Sequence, residues 1–306
     1  MKKVNITKSI EYEFKKLVLS IFRNGILEKK ENKEKNKKIK FSIKQDEIDK
    51  LLQKKFKDFD ANISFEKLIV SNLEYIRGLK KFYDGDNKEK IKFEKDEEEY
   101  FLTLYERLKK PEYIELLGIT TCLYCNRNYA FNFSKGSKLN ATAQLDHFFD
   151  KKDYPFLAIC LYNLVPSCST CNQRKSTKKV DILHPFEDCF DKKSKFKLHI
   201  IDSNFYYKRE SIKLELISED EKAKNSIETF NLNNLYNHHK DVILELIQKD
   251  VIYSDSYLDE LLKEYEGTLF KNREDLQRLI SCGYMSNDDI NQRPLSKLIK
   301  DISEEL

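Results

Sequence analysis

The chain has 306 residues, and 40% of them are apolar, which is enough to build a hydrophobic core and excludes wholesale disorder. Charged residues make up 35% of the sequence, yet the net charge is only +4. A nucleic-acid partner is therefore permitted but not demanded, and the local clustering of charge matters more than the total. The sequence contains no apolar run of about eighteen residues and no signal-peptide core, which favours a soluble, cytoplasmic protein without a membrane partner.

The first 110 residues are predicted to form an N-terminal helical region. Apolar residues recur there at helical spacing in four stretches, near residues 9–22, 44–59, 64–83 and 96–109. Between the first two stretches lies EKKENKEKNKKIK (28–40), which has one apolar residue and a strong excess of lysine. This segment is interpreted as a solvated linker or loop, with an arm that touches phosphates as the alternative.

The rest of the chain is predicted to contain a central core followed by a hairpin and more helices. Pro111 opens a short helix, PEYIELLG, which Gly118 closes at a position that favours a left-handed residue. After residue 190, KFKLHII and SIKLELI alternate polar and apolar residues like the two strands of a hairpin. Helical patterns return near 234–249, 256–266, 272–281 and after Pro294. The predicted fold class is α+β and predominantly helical, with regions 1–110 (helical), 111–190 (core) and 191–306 (hairpin and helices).

Two Cys-x-x-Cys pairs bracket the centre of the core. The first is Cys122 and Cys125, and the second is Cys168 and Cys171. Two tight pairs in a chain without signs of secretion fit one tetrahedral Zn²⁺ better than disulfides, because each pair forms a small chelating knuckle. A closed site of four thiolates leaves no position for water, so this zinc is predicted to be structural.

Polar residues of a second kind lie between and just after the cysteine pairs. Asp146, His147 and Asn163 stand in an otherwise apolar setting, and Asn172 follows the last cysteine. Hydrolysis of a phosphodiester needs a base for water and a cation to neutralise charge at the phosphate. His147 is a candidate base that Asn163 could orient, and Asp146 and Asn172 offer the hard oxygen ligands that suit Mg²⁺ or Mn²⁺.

A basic run follows the second cysteine pair. It contains no acidic residue and comprises Arg174, Lys175, Lys178 and Lys179. These four are predicted to hold phosphates of a nucleic acid, with a solvated helix end as the alternative.

The local geometry predicted for the core is a strand, a loop and a helix folded over one ion. Adjacent residues of a regular strand point to opposite faces, so Asp146 and His147 are predicted to lie where the strand ends and the chain bends. Asn172 is predicted to lie early in a helix whose position the zinc fixes.

The motifs of the core resemble those of the HNH endonucleases, which have a ββα-metal fold. The matching pattern over residues 119–190 is Cys-x-x-Cys, then Asp-His-Phe, then Tyr-Asn-Leu-Val-Pro-Ser-Cys-x-x-Cys-Asn-x-x-Lys. Within that superfamily the chain looks most like the PtuB-like HNH subunits of Septu anti-phage systems, which work beside a PtuA-like ATPase. The segment HPFED around His184 resembles a further block of the family; a structural turn and a role beside the active site are both possible for this histidine.

The resemblance implies a role for each residue that matches the motif. His147 would be the general base, Asp146 a metal ligand, and Asn163 the residue that orients the base. Asn172 departs from the family, because it stands where a metal-binding His is usual, although functional relatives such as the HNH domain of the RNA-guided CRISPR nuclease also have Asn there. Asp150 is a second departure, since the family often has Pro at this position, and it leaves the affinity for the catalytic metal in doubt.

The sequence thus predicts a metal-dependent endonuclease with structural Zn²⁺ and catalytic Mg²⁺ or Mn²⁺. DNA is the favoured substrate, and RNA, tRNA in particular, is an alternative. A function from another class remains open, namely a non-catalytic zinc module that binds nucleic acid or a protein.

Overall fold

The computed structural model describes residues 1–23, 25–28, 42–85, 91–286 and 289–306. Within these ranges helices predominate, and the strands form four separate two-stranded antiparallel sheets. The predicted α+β, predominantly helical class is confirmed. No helix in these ranges is both long and apolar enough to cross a membrane.

The N-terminal region is mostly helical, as predicted. The third predicted helix, 64–83, is divided in two because the side chain of Asn72 accepts a hydrogen bond from the N–H of Tyr75 and starts a new helix. The lysine-rich segment falls outside the described residues apart from Glu28. The elements are α1 (Lys8–Leu19), β1 (Ile26–Glu28), β2 (Ser42–Lys44), α2 (Gln45–Phe56), α3 (Phe65–Leu68), α4 (Leu73–Asp84) and α5 (Lys95–Arg107).

The central region contains a helix, two pairs of strands and a second helix. Gly118 ends the short helix at φ 61°, in the left-handed conformation that the sequence predicted. In the following β5–β6 pair, Asp146 lies opposite Val165 and His147 lies opposite Leu164. The elements are α6 (Lys110–Leu117), β3 (Asn132–Lys135), β4 (Lys138–Ala141), β5 (Gln144–His147), β6 (Leu164–Ser167) and α7 (Ser169–Lys175).

The C-terminal region begins with the predicted hairpin and continues as helices. The helix predicted over 234–249 is interrupted, because the Asn237 side chain bonds the backbone N–H and C=O of Leu214 in the hairpin instead of facing solvent. The elements are α8 (Phe190–Lys193), β7 (Lys195–Ile200), β8 (Ile212–Ile217), α9 (Glu221–Phe230), α10 (Leu232–Tyr236), α11 (Lys240–Ile252), α12 (Asp255–Tyr265), α13 (Arg273–Ser281) and α14 (Ser296–Ser303).

One cluster of buried apolar side chains runs through all three predicted regions. The rings of Phe14 and Tyr113 meet edge to face at 5.2 Å, and those of Phe56 and Phe156 lie 4.9 Å apart. Backbone hydrogen bonds also cross the predicted boundaries, for example from the N–H of Val4 to the C=O of Pro185 at 2.9 Å. The flanking regions therefore pack against the central core and help to position it.

Candidate active site

The four cysteines of the two pairs meet at one point. Their Sγ atoms all lie within 4.8 Å of one another, and all four residues are buried. Cys122 and Cys125 come from the turn after α6, whereas Cys168 caps α7 and Cys171 lies in its first turn. The N–H of Cys168 donates to the Sγ of Cys122 at 3.2 Å, which joins the two pairs. This cluster could hold a zinc ion.

The chemistry of the thiols fits a bound cation. Burial, followed by the proximity of Cys125 and Cys168, raises the pKa of Cys122 well above its ordinary value. Several thiolates cannot share an apolar pocket unless a cation compensates their charge. A tetrahedral Zn²⁺ ligated by these four sulfurs would supply that charge and would crosslink two distant parts of the chain.

Residues of the C-terminal region hold the first knuckle in shape. Asn126 follows Cys125 in a left-handed conformation, with φ 51°. Its Nδ2 donates to the C=O of Ile290 at 2.9 Å, and its Oδ1 accepts from the N–H of Lys297 at 3.2 Å. The hydroxyl of Tyr236 donates to the C=O of Cys125 at 2.5 Å. The turn that carries Cys122 and Cys125 is thus held by hydrogen bonds from the C-terminal region.

Helix α7 lies along one face of strand β5, and two polar contacts join them. Gln144 and Asp146 are two residues apart and so share a face of the strand, whereas Asn172 and Lys175 are three apart and share a side of the helix. The Nδ2 of Asn172 donates to the Oε1 of Gln144 at 2.6 Å. The Nζ of Lys175 lies 3.0 Å from the Oδ2 of Asp146. The two predicted metal ligands therefore lie on the surfaces of β5 and α7 that face each other. Asp146 pairs with Lys175, and Asn172 bonds Gln144.

The carboxylate of Asp146 is buried in polar company. It is 4% exposed, and its Oδ2 accepts from the hydroxyl of Tyr124 at 2.6 Å. Burial raises its pKa, while Lys175 and the hydrogen bond from Tyr124 oppose that rise. The ammonium of Lys175 also donates to the C=O of His147 at 2.8 Å. The buried carboxylate of Asp146 thus requires a positive neighbour, and in this structure that neighbour is Lys175.

His147 ends β5 and points to the other face of the strand. Its ring meets that of Tyr105 edge to face at 4.4 Å, and its Nε2 lies 3.0 Å from the C=O of Ala158. Because a carbonyl only accepts, we assign the proton to Nε2, which leaves Nδ1 able to accept a proton. Burial, and then the charge of Lys151, lowers the pKa of His147 to about 3, so the ring is neutral at pH 7. The imidazole is thus anchored at one nitrogen and has a lone pair on the other, and its lowered pKa makes that nitrogen a weak proton acceptor in this environment.

Asn163 lies fully buried at the start of β6 and ties together the loop that follows His147. Its Oδ1 accepts from the N–H of Phe149 at 2.7 Å, and its Nδ2 donates to the C=O groups of Phe149 and Leu157 at 3.1 and 2.9 Å. The loop closed in this way carries Ala158, whose carbonyl anchors His147. Asn163 thus acts on the imidazole through the backbone and makes no direct contact with the ring.

The basic run divides into exposed and buried members. Arg174 is half-buried, and Lys178 and Lys179 are exposed. The Nζ of Lys179 is 2.8 Å from the Oδ2 of Asp153. Lys175, which the sequence grouped with these three, is instead 4% exposed and paired with Asp146, so its ammonium is not open to a phosphate.

Three residues beside His147 were missed from the sequence. The ring of Tyr105 contacts the imidazole of His147. The Nζ atoms of Lys110 and Lys151 lie 4.6 and 4.7 Å from the centre of the Tyr105 ring. Lys151 follows His147 by four residues, and this closeness is a signal that could have found it. Tyr105 and Lys110 come from α5 and the start of α6, in the N-terminal flank, where no motif marks them.

His184 is buried and packs behind the candidate site. Its Nδ1 accepts from the N–H of Phe186 at 3.2 Å, and its ring lies 4.1 Å from that of Phe148. Burial, and then the charge of Arg77, lowers its pKa to about 3, so this ring is also neutral at pH 7. These contacts are those of a residue that supports the loop next to His147.

Comparison with known proteins gives one partial relative. Over 133 residues the chain is 31% identical to the Septu protein PtuB of Bacillus thuringiensis. The match covers 37% of this chain and 49% of that protein, so the chain spans about half the length of the curated relative that it matches. No family model matches the chain, and no solved structure matches it at a significant level. The chain is thus similar in part to a Septu protein, and its central region carries a four-cysteine cluster, a buried Asp146, a half-buried His147 and a buried Asn163.

Proposed function

We propose that this chain is a metal-dependent HNH endonuclease and the nuclease effector of an anti-phage defence system. The observation that carries the proposal is the position of His147 at the end of β5, with its Nε2 3.0 Å from the C=O of Ala158, next to Asp146 on the face of the strand that α7 covers. The order β5, β6, α7 and the partial similarity to a Septu protein support it further. The resemblance to PtuB-like subunits adds an ATPase partner.

In the proposed reaction His147 accepts a proton from water at Nδ1 as the water attacks the phosphorus. Asn163 keeps the loop closed, so the imidazole stays on the Ala158 carbonyl during this step. Asp146 and Asn172 would hold Mg²⁺ or Mn²⁺, which would supply charge neutralisation at the phosphate and at the departing oxygen. Their donor atoms fit such a hard cation, because the carboxylate is buried and already requires a positive neighbour.

The proposed substrate is a nucleic acid, with DNA favoured and tRNA as the alternative. The chemistry acts on a phosphate, which both polymers share. Arg174, Lys178 and Lys179 are the members of the basic run that reach solvent, and we assign them to phosphates that flank the cleaved bond.

The test is cleavage by the purified protein, with and without its ATPase partner. Supercoiled plasmid, linear duplex, single-stranded DNA and tRNA are incubated with no added metal, with Mg²⁺ and with Mn²⁺. A general base contributes about 10²- to 10⁴-fold to a rate, so His147→Ala should lower metal-dependent cleavage by that factor. Zinc content and the unfolding temperature, measured on the same samples, should remain near those of the parent protein.

One observation favours a second function. Lys175 occupies the carboxylate of Asp146, as it would in a zinc module that binds nucleic acid or protein without cleaving it. Binding without metal-dependent cleavage under every condition, including with the ATPase present, would favour this module. A His147→Ala variant that cuts as fast as the parent would exclude the proposed base.

A further inference from the structure

Two lysines converge on one aromatic ring next to the proposed base. The Nζ of Lys110 is 4.6 Å from the centre of the Tyr105 ring, and the Nζ of Lys151 is 4.7 Å from the same centre. The same tyrosine ring also contacts His147, and the centres of the two rings lie 4.4 Å apart. Lys110 comes from the N-terminal helical region and Lys151 from the loop after β5, so the fold brings them together from separate parts of the chain.

Neither ammonium has an acidic partner in the described part of the chain. Lys109, the neighbour of Lys110, shows the contrast, because its Nζ forms an ion pair with Glu112 at 2.9 Å. Glu106 acts on Lys110 only through space, without an ion pair. Both ammonium groups therefore lie against the same tyrosine ring, which compensates part of their charge, and the charge of Lys151 acts on Lys110 through space.

This arrangement costs stability in the absence of an anion. Lys110 is the first residue of α6, where the helix dipole disfavours a cation. Burial, and then the charge of Lys151, lowers the pKa of Lys110. An anion bound by both ammonium groups would relieve both effects, because it would compensate the two positive charges next to the first turn of the helix.

We propose that Lys110 and Lys151 form a phosphate seat that holds one backbone phosphate of a nucleic-acid strand against His147, with Tyr105 setting the positions of both side chains. The proposal rests on the proposed nuclease function, since it names the group that places the substrate beside the base. Cation–π contact fixes the lysine chains over the ring while their N–H groups stay available to phosphate oxygens. The N-terminal flank thereby contributes to the substrate site.

The test is binding without cleavage. A fluorescein-labelled oligonucleotide, single-stranded or duplex, is titrated with the protein at several NaCl concentrations and without added Mg²⁺ or Mn²⁺. Lys110→Met and Lys151→Met each keep a long apolar side chain on Tyr105 while removing the charge. Each should weaken binding several-fold and lower the slope of log affinity against log salt by about 1, and the double variant by about 2.

Matched controls come from the adjacent positions. Lys109→Met and Lys152→Met remove the same charge one residue away and should leave the salt slope nearly unchanged. The unfolding temperature of the double variant should equal or exceed that of the parent, because the repulsion between the two ammonium groups is gone. If either Met variant proves unstable, Lys110→Gln and Lys151→Gln give the same comparison.

The outcomes separate this proposal from the nuclease. Unchanged affinity and salt slope in the double variant, or equal losses in the controls, would overturn the seat while leaving cleavage by His147 untouched. If the parent protein cleaves no substrate but the Lys110→Met and Lys151→Met variants still lose binding, the phosphate seat is supported and the nuclease function is excluded. Competition by inorganic phosphate alone at the same sites would support a seat for the phosphate group itself.

Discussion

The Nζ of Lys175 lies 3.0 Å from the Oδ2 of Asp146, and the two side chains are 6% and 5% exposed. Within the site this is a buried ion pair between a proposed metal ligand and a residue one helical turn after the other proposed ligand, Asn172. Removing one partner of a buried pair leaves an uncompensated charge, which is far more costly than losing an exposed pair.

Lys175→Met should destabilise the protein by about 3–5 kcal/mol in metal-free buffer, because the carboxylate of Asp146 stays buried without its cation. Urea unfolding measures this free energy. Lys179→Met, which breaks the exposed pair with Asp153, is the control and should change little. Combining Lys175→Met with Asp146→Asn should recover part of the loss, and no recovery would mean that the lysine acts elsewhere.

A divalent cation should stabilise Lys175→Met more than the parent protein. The variant leaves Asp146 open to the ion, whereas in the parent the ion must replace the ammonium. Thermal unfolding with increasing Mn²⁺ provides the measurement, and Asp146→Asn in the same background should abolish the gain. Equal shifts in parent and variant would place the ion away from Asp146.

Asn163→Ala should loosen the loop between Phe149 and Ala158. The buried C=O of Leu157 loses its partner at about 1–3 kcal/mol, and the half-buried N–H and C=O of Phe149 lose theirs at a smaller cost, because water can reach them. Hydrogen exchange should speed up in this loop more than in the zinc knuckles, and cleavage should fall because the Ala158 carbonyl no longer fixes His147. Asn225→Ala removes an exposed amide that bonds one carbonyl and should leave both properties near normal.

Cys168→Ser should release zinc and destabilise the core, since binding of a structural metal is part of the folding free energy. Zinc measured by mass spectrometry should fall from about one ion per chain, the number expected for a single four-thiolate site, toward none, and the unfolding temperature should drop. Cys282→Ser, at an exposed thiol, is the matched control. A variant at Cys168 that keeps its full zinc content would show that the ion binds elsewhere.

Acid should remove the stabilisation that Asp191 contributes. Burial alone would raise the pKa of Asp191, but Lys297 and Lys300 bring it down to about 2, below the value of about 3.9 for an unfolded chain. The contribution is therefore fully present above about pH 5, amounts to about 2–3 kcal/mol, and is lost as the pH falls toward 2. Asp191→Asn should be less stable than the parent at pH 6, with a difference that shrinks toward pH 3. Glu221→Gln, at an exposed pair, should show little difference at any pH.

The sequence predicted the elements better than their interruptions. Hydrophobic spacing located the helices and the β7–β8 hairpin, because burial of one face imposes a period on the residues. It missed the breaks at Asn72 and Asn237, where an asparagine side chain competes for backbone groups, in the second case with a strand that is distant in sequence.

The candidate site was predictable to the extent that its residues follow local motifs. The meeting of the cysteine pairs and the place of Asn172 early in α7 agree with the sequence-based geometry. The predicted bend at Asp146 and His147 does not, because both residues pair in the regular β5–β6 ladder and so point to opposite faces of the strand. The burial of Lys175 was not predictable, because a basic run looks alike whether its members face water or a carboxylate. Tyr105 and Lys110 were invisible, since only the packing of α5 and α6 against the core brings them to His147.

The contacts of Asn126 tie the candidate zinc site to residues more than 160 positions later in the chain. The side-chain amide of Asn126 bonds the backbone of Ile290 and Lys297, and the hydroxyl of Tyr236 bonds the carbonyl of Cys125. The conformation of the cysteine cluster therefore depends on residues far downstream in the chain. A fragment trimmed to the cysteine and histidine motifs would lack these supports and should lose metal readily.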